Sequence, residues 1–417
     1  MKAIVIGAGG RGLGYAKRAL THPDKLQIVG VAEPLEERRE SVRTLYNVPQ
    51  ENCFTTWEDV FNREKFADAV MICTQDQMHY EPTMKAIEKG YHILLEKPVS
   101  PNPEECLKIA DAAEKKGVKV VVCHVLRFAP FFVEMKKAII NGDIGEIVSV
   151  VHNENVGNSH QAHSFVRGAW RNTAQSSPMI LAKSCHDTDI MQWLIGKKCL
   201  KLSSFGSLKY FKKENCPEGA PPRCTDGCPY GDECFYDTRK LYFPGHTGYR
   251  EWYRRIATSA AGEVSDERVM ESLKTTQYGK CVFQCDNDVV DHQVVSMEFE
   301  DGITALFSMS AFTPETSRTI KIMGTKGEIR ASMAVNKIEI TDFLTYTTRT
   351  INLENLEGID GHGGGDNRMI DAFCDYIDSG VKDIGITDIR TTVNNHMISF
   401  MAEKSRQSGG KLVELSR

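Results

Sequence analysis

From residue 1 to about residue 125, short runs of Val, Ile, Leu and Ala alternate with stretches whose apolar residues recur every three to four positions. Apolar runs of this length, bounded by turn residues, predict strands over Ala3–Ile6, Leu26–Ala32, Ala69–Cys73, His92–Leu95 and Val118–Val122. The runs are apolar at consecutive rather than alternate positions, so they fit a parallel sheet covered on both faces. The amphipathic segments between them, such as Met78–Lys89 and Pro103–Lys116, are the covering helices. Pro103 at the first helical position and acids in the first turn mark where the latter begins. The pattern predicts a doubly wound α/β domain over residues 1–125.

After residue 126 the texture changes. Gly145–Asn155, Val290–Phe299, Thr304–Ser310 and Thr319–Met323 read as longer strands, joined by short turns such as Glu300-Asp301-Gly302. Residues 126–417 are therefore expected to form an α+β domain around a mostly antiparallel sheet. Two helices are predicted within it, His186–Ile195 and, after a glycine cluster, Asp366–Asp378. Residues 214–262 fit neither period, and their Pro, Gly and Cys content predicts a long insertion.

Composition narrows the function. With 417 residues, 41% of them hydrophobic and 26% charged, the chain has material for two cores. A formal net charge of −5 without a basic run lacks the footprint of a nucleic-acid binder. Met1 to Gly7 lead directly into a strand and a glycine turn, without the pattern of a signal peptide, and no apolar run approaches the roughly 20 residues of a membrane span. A cytoplasmic protein acting on a small polar molecule is expected, its 13 cysteines serving as thiols or metal ligands.

Gly7-Ala8-Gly9-Gly10-Arg11-Gly12 follows the first predicted strand and opens a helix, so the backbone there can approach a pyrophosphate closely. Glu33 closes the second strand about 20 residues on, where a carboxylate accepts from ribose hydroxyls and repels a 2′-phosphate. Together they predict a Rossmann domain that binds NAD in preference to NADP. Glu96-Lys97-Pro98 ends the strand His92–Leu95 at the ligand edge of the sheet, which makes Lys97 more than a surface lysine. Lys183-Ser184-Cys185-His186-Asp187-Thr188-Asp189 opens the next domain's helix and puts His186 and Asp189 on one face. An imidazole there suits a base that takes the proton of a secondary alcohol, though a histidine at a helix start also caps and packs.

The glycine turn, Glu-Lys-Pro and His-Asp-x-Asp, in this order, resemble the glucose-fructose oxidoreductase and inositol dehydrogenase (Gfo/Idh/MocA) family over essentially the whole chain. Cys73-Thr74-Gln75-Asp76-Gln77-Met78-His79 is similar to the family's Thr-Pro-Asn-x-x-His loop, and Trp170-Arg171 to a Trp-Arg pair that reaches the cofactor. The resemblance implies a second domain with a large open sheet, often used for homo-oligomer contacts (dimer or tetramer), and a pocket between the domains. It implies cofactor contacts from Gly7, Gly9, Gly10, Arg11, Gly12, Glu33, Thr74, His79, Glu96, Lys97, Trp170 and Arg171, with Lys97 and His186 catalytic. Many members carry Asp four residues before the histidine. Here that residue is Ala182, followed by Lys183, a cation in catalytic reach that would keep His186 neutral. His362 in Gly361-His362-Gly363-Gly364-Gly365-Asp366 matches a segment bordering the cleft. With Lys97, Lys183, His186, Asp189 and His292 it completes the expected substrate contacts.

Cys216, Cys224, Cys228 and Cys234 crowd into the insertion among prolines and glycines. No apolar core is expected to form from such a segment, and a structural zinc on these four thiolates would fold it. An iron–sulfur cluster, free thiols and a disulfide are the alternatives, with Cys281 and Cys285 as further ligands. Three functions are compatible with these features: an NAD-dependent sugar or polyol dehydrogenase, a redox-assisted glycosidase that recycles its NAD, and a sensor of NAD or sugar without turnover. A sensor has no use for Lys97 and His186.

Overall fold

A computed structural model describes residues 1–246, 248–353 and 361–415. The first domain's strands are β1 (Lys2–Ile6), β2 (Gln27–Ala32), β3 (Cys53–Phe54), β4 (Ala69–Ile72), β5 (His92–Leu95) and β6 (Val120–Val122). They pair in parallel in the order β3-β2-β1-β4-β5-β6. The apolar pattern marked all but the short edge strand β3. Ile4, Val5, Val70, Met71, Ile93 and Leu94 are wholly buried, as runs covered on both faces must be. Strand order reverses between β1 and β4, and the crevice beyond their carboxyl ends is the ligand edge of such a sheet. The helix Pro103–Lys116 begins as expected, with Asn102 accepting from the Glu104 amide at 2.9 Å, and closes on the left-handed Gly117.

The second sheet comprises β7 (Ile147–Asn155), β8 (Cys199–Ser207), β9 (His292–Phe299), β10 (Thr304–Ser310), β11 (Ser317–Gly324), β12 (Gly327–Ser332), β13 (Lys337–Asp342), β14 (Thr348–Asn352) and β15 (Val413–Glu414). Their order is β14-β13-β12-β11-β7-β10-β9-β8-β15, antiparallel except where β7 pairs with β10. Burial alternates along β7: Val150, His152 and Glu154 face inward beneath the helix Cys185–Ile195, while Val151 and Asn153 face the open side.

The last two long helices knit the molecule together. Met369, Ile370 and Phe373 of Gly361–Ser379 join the core on one face of the first sheet. Ile389 and Val393 of Ile389–Gln407 join the core on its other face, and Ile398 and Ala402 of the same helix join the core of the second sheet. Among the described residues, no helix is long and apolar enough to cross a membrane.

The insertion departs from expectation. It contains the helices Thr238–Tyr242 and Glu251–Ala257 and helps build a fourth core, with its Tyr236, Leu241, Tyr242 and Tyr253 packed on Phe211, Val269, Leu273 and Val282 of the flanking segments. The aromatic rings supply the apolar area that its proline and glycine content obscured. Among the described residues, no three His, Cys, Asp or Glu side chains gather to hold an ion, and Cys216, Cys224, Cys228 and Cys234 are all free thiols. Zinc on these cysteines is not supported.

Candidate active site

The glycine turn is shaped by close approach. Gly7 has φ 88°, and a Cβ there would stand 2.7 Å from the Cys73 carbonyl oxygen; one on Gly12 would stand 2.1 Å from the Gly7 oxygen. A Cβ on Gly10 would meet nothing within 4 Å, and Gly9 begins the helix Gly10–Ala16 without a side-chain cap. The turn therefore offers open backbone where a pyrophosphate fits. Glu33 is 4% exposed and accepts from the amides of Ala8 (2.8 Å) and Leu35 (3.0 Å), which sets its carboxylate against the turn.

Arg11 and Glu96 are engaged with one another. Glu96 accepts from Arg11 (3.0 Å), Tyr15 (2.6 Å) and the Lys97 amide (2.9 Å), and the Arg11 guanidinium reaches on to both oxygens of Asp366 at 3.0 Å. These cations hold Glu96 below the usual carboxylate range despite its burial. This network fastens the glycine turn to the segment carrying His362.

Loop Thr74–His79 is clasped from the second domain. Buried Asp76 accepts from Trp170 Nε1 (3.1 Å), Ser176 Oγ (2.7 Å) and Ser177 Oγ (2.8 Å). Both ring nitrogens of His79 lie against carbonyls, those of Pro98 (2.6 Å) and Thr74 (3.1 Å), so His79 ties this loop to the one bearing Lys97. Thr74 Oγ1 donates within the loop, to Met78 O. Trp170 stands at the domain junction, with Lys97 Nζ 5.8 Å from its ring centroid. Arg171 turns the other way, onto Asp286 at 2.8 and 3.2 Å.

Lys97 crosses the junction and donates to the Ala182 carbonyl at 2.8 Å, four residues before His186. His186 is 4% exposed, with the rings of His362 and His124 at 5.7 and 6.0 Å. Burial first, then the charge of Lys97, holds His186 well below the ordinary histidine value, so it is neutral at pH 7. His362 adopts a left-handed backbone, bonds Asp366 through Nδ1 (3.0 Å) and is partly exposed.

The charge four residues before the histidine is rebuilt from another element. Lys183 pairs at 3.0 Å with Glu154 of β7, and Arg318 of β11 bridges Glu154 (2.6 Å) and Asp187 (2.7 Å). Lys183 is thus a compensated cation, and the charge acting most on His186 is that of Lys97. Asp189 is wholly buried and bound by Arg127 (2.6 and 2.7 Å) and Asn395 (2.7 Å), which hold it down at about 2. It supports the helix from beneath. His292 bonds Asp291 (2.8 Å), which receives the Lys209 and Tyr210 amides, and its contacts are with that turn rather than the Lys97–His186 group.

Three residues at the site escaped the sequence reading. His124 follows β6 at the sheet's ligand edge, a position that marks it in retrospect, and its ring lies between His186 and Asp189, 3.7 Å from the latter. Asp366 anchors Arg11. His160, after β7, lies against Trp252 of the insertion at 5.5 Å and is held well below the ordinary histidine value by burial and then by Lys183.

Comparison with known proteins identifies the family. Residues 1–124 match the GFO/IDH/MocA model described as "Oxidoreductase family, NAD-binding Rossmann fold", and residues 136–415 match its "C-terminal alpha/beta domain". The Bacillus subtilis (strain 168) protein YteT is 25% identical over 75% of this chain and 74% of its own. An Escherichia coli (strain K12) 2,7-anhydro-N-acetylneuraminate hydratase is 29% identical over 33% of this chain and 36% of its own. A levoglucosan dehydrogenase solved with NADH and levoglucosan superposes with a TM-score of 0.72 at 16% identity, over the full length of both chains. Coverage of these curated relatives thus ranges from about a third to three quarters of their length.

Proposed function

The chain belongs to the GFO/IDH/MocA oxidoreductase family, and from that premise we propose that it oxidises a secondary hydroxyl of a sugar, glycoside or polyol with NAD. The observation that carries this reading is the meeting of Lys97 and neutral His186 across the domain junction. His186, buried and uncharged, takes the hydroxyl proton, and the Lys97 ammonium stabilises the oxygen as negative charge develops on it. The nicotinamide, when bound, supplies the hydride acceptor. Gly7, Gly9, Gly10 and Gly12 would hold the pyrophosphate and Glu33 the ribose, and the loop around Thr74, with Trp170, would border the nicotinamide end. His160, His362 and Lys183 stand where they can grip further hydroxyls.

A second reading, a redox-neutral cycle with NAD retained, is favoured by how the insertion closes over the glycine turn. Arg38 Nη1 lies 3.8 Å from where a Gly9 Cβ would stand, and Arg38 donates to Ser259 O (3.0 Å) while Arg268 pairs with Glu37 at 2.8 Å. With the Asp76 clasp at the other end, the dinucleotide site is bridged twice, which suits transient oxidation, elimination of a substituent and return of the hydride. Incubation with NAD and a panel of sugars, glycosides and inositols, recording both NADH absorbance and product masses, decides between the readings. Net NADH supports the dehydrogenase; a cleaved or hydrated product without NADH supports the cycle; no reaction with any of them counts against both.

For the assembly, we assign the open face of the nine-stranded sheet as a contact between copies. Phe205 faces Val294 across β8 and β9, Leu306 lies diagonal to them on β10, and all three are exposed. Light scattering should give a dimer or tetramer that Leu306→Asp with Val294→Asp dissociates; a monomeric wild-type protein overturns this.

A further inference from the structure

Arg167 ends the helical segment Gln161–Arg167 and is 1% exposed, yet among the described residues no carboxylate pairs with it. Its Nε donates to Lys280 O at 2.7 Å and its Nη2 to Tyr236 O at 2.8 Å, while Nη1 has no partner. A guanidinium cannot give up its proton in a protein, and a buried cation without a counter-charge is strongly disfavoured. What surrounds it is sulfur. Nη2 lies 3.6 Å from Cys224 Sγ, and Tyr242, Cys285 and Cys281 are further electrostatic neighbours.

These thiols are not equivalent. Burial pushes Cys281 up to about 12 and raises Cys285 and Cys234 as well, so all three stay protonated. Cys224 is partly open to solvent, and its sulfur receives the guanidinium N–H directly. We propose that Cys224, held against the Arg167 guanidinium and open to solvent, is the nucleophilic modification site of this chain, reacting with soft electrophiles and hydroperoxides. The crowded cysteines of the insertion thereby acquire a role that needs no metal, independent of the hydride chemistry proposed above. With a hydroperoxide, Cys224 Sγ attacks one peroxide oxygen; an S–O bond forms, the O–O bond breaks, and the departing oxygen leaves as water or an alcohol after taking a proton from solvent. The sulfur loses two electrons to the peroxide and becomes a sulfenic acid.

The test uses the full chain as purified. It is pulsed with iodoacetamide at pH 7, or with hydrogen peroxide followed by dimedone, and every cysteine-containing peptide is quantified by mass spectrometry. Cys228 is the internal reference, a partly exposed thiol of the same insertion without a guanidinium against it among the described residues. Cys224 should alkylate at least about tenfold faster than Cys228 and should carry the dimedone adduct. Arg167→Gln should erase the difference and Arg167→Lys should keep part of it; the wild-type ratio decides alone if the Gln variant does not fold. Equal rates at Cys224 and Cys228 overturn the proposal. So does labelling of Cys224 that begins only after a chelator is added, since the sulfur would then be a metal ligand.

Discussion

His186 carries the chemistry proposed for this protein because its surroundings keep it uncharged. Burial and the Lys97 ammonium both disfavour the imidazolium, so the base form persists below the ordinary histidine value of about 6.5. Activity on the identified substrate should therefore stay level from pH 8 through 6.5 and fall only at lower pH, as His186 protonates. A rate profile whose acid limb sits above 7 would contradict this. His186→Ala and Lys97→Ala should each lower kcat by roughly 100-fold or more, the usual worth of acid/base groups, while dinucleotide affinity measured by calorimetry changes little. Glu33 makes a separate residue-level prediction. Its carboxylate, fixed against the glycine turn by Ala8 and Leu35, should favour NAD over NADP by roughly tenfold or more, and equal affinities in the same titration would remove it from the ribose site.

At the scale of elements, the loops after β4 and β5 matter more than the strands that bear them. Asp76 gathers three donors from residues 170–177 into one buried carboxylate, and so fixes how the second domain meets the cofactor edge of the first. Asp76→Ala leaves two hydroxyls and an indole N–H unpaired. It should lower unfolding free energy by about 2 kcal/mol in urea titrations and weaken NAD binding at the same time. Lost stability with unchanged NAD affinity would make the clasp purely structural. The strands themselves were visible as apolar runs, as was the helix Pro103–Lys116, because burial on two faces and capping chemistry are local demands. Glu154 was not visible as the partner of Lys183. It sits on β7, and only the pairing of β7 with β11 brings Glu154, Arg318 and Lys183 together.

Over the whole molecule, several histidines are buried in neutral form. Burial lowers His124 to about 4 and both His163 and His396 to about 3. In the unfolded chain each takes up its proton near 6.5, so between pH 6.5 and about 3 the unfolded state binds more protons and folding free energy is lost as pH falls. Each such histidine steepens the loss by about 1.4 kcal/mol per pH unit within its window. Thermal melts from pH 7.5 down to 4.5 should show Tm steady above 6.5 and dropping below it; a Tm that rises on acidification would refute the assignment.

The sequence by itself determined the two sheet classes, the dinucleotide turn and the chain positions of Lys97 and His186, because periodicity, glycine geometry and strand-end placement are written within a few tens of residues. Tertiary structure decided which of the remaining candidates share a site. It brought His362 and His124 beside His186 and turned Arg171 onto Asp286. Asp189 was drawn beneath its helix into the grip of Arg127, and the helix after the glycine cluster into the core of the first domain. It also replaced the expected metal in the insertion with an aromatic core and a buried arginine. Each of these outcomes depends on which distant side chain satisfies a buried charge or fills a buried volume, and such a partner, often a hundred or more residues away, leaves no mark on the local pattern.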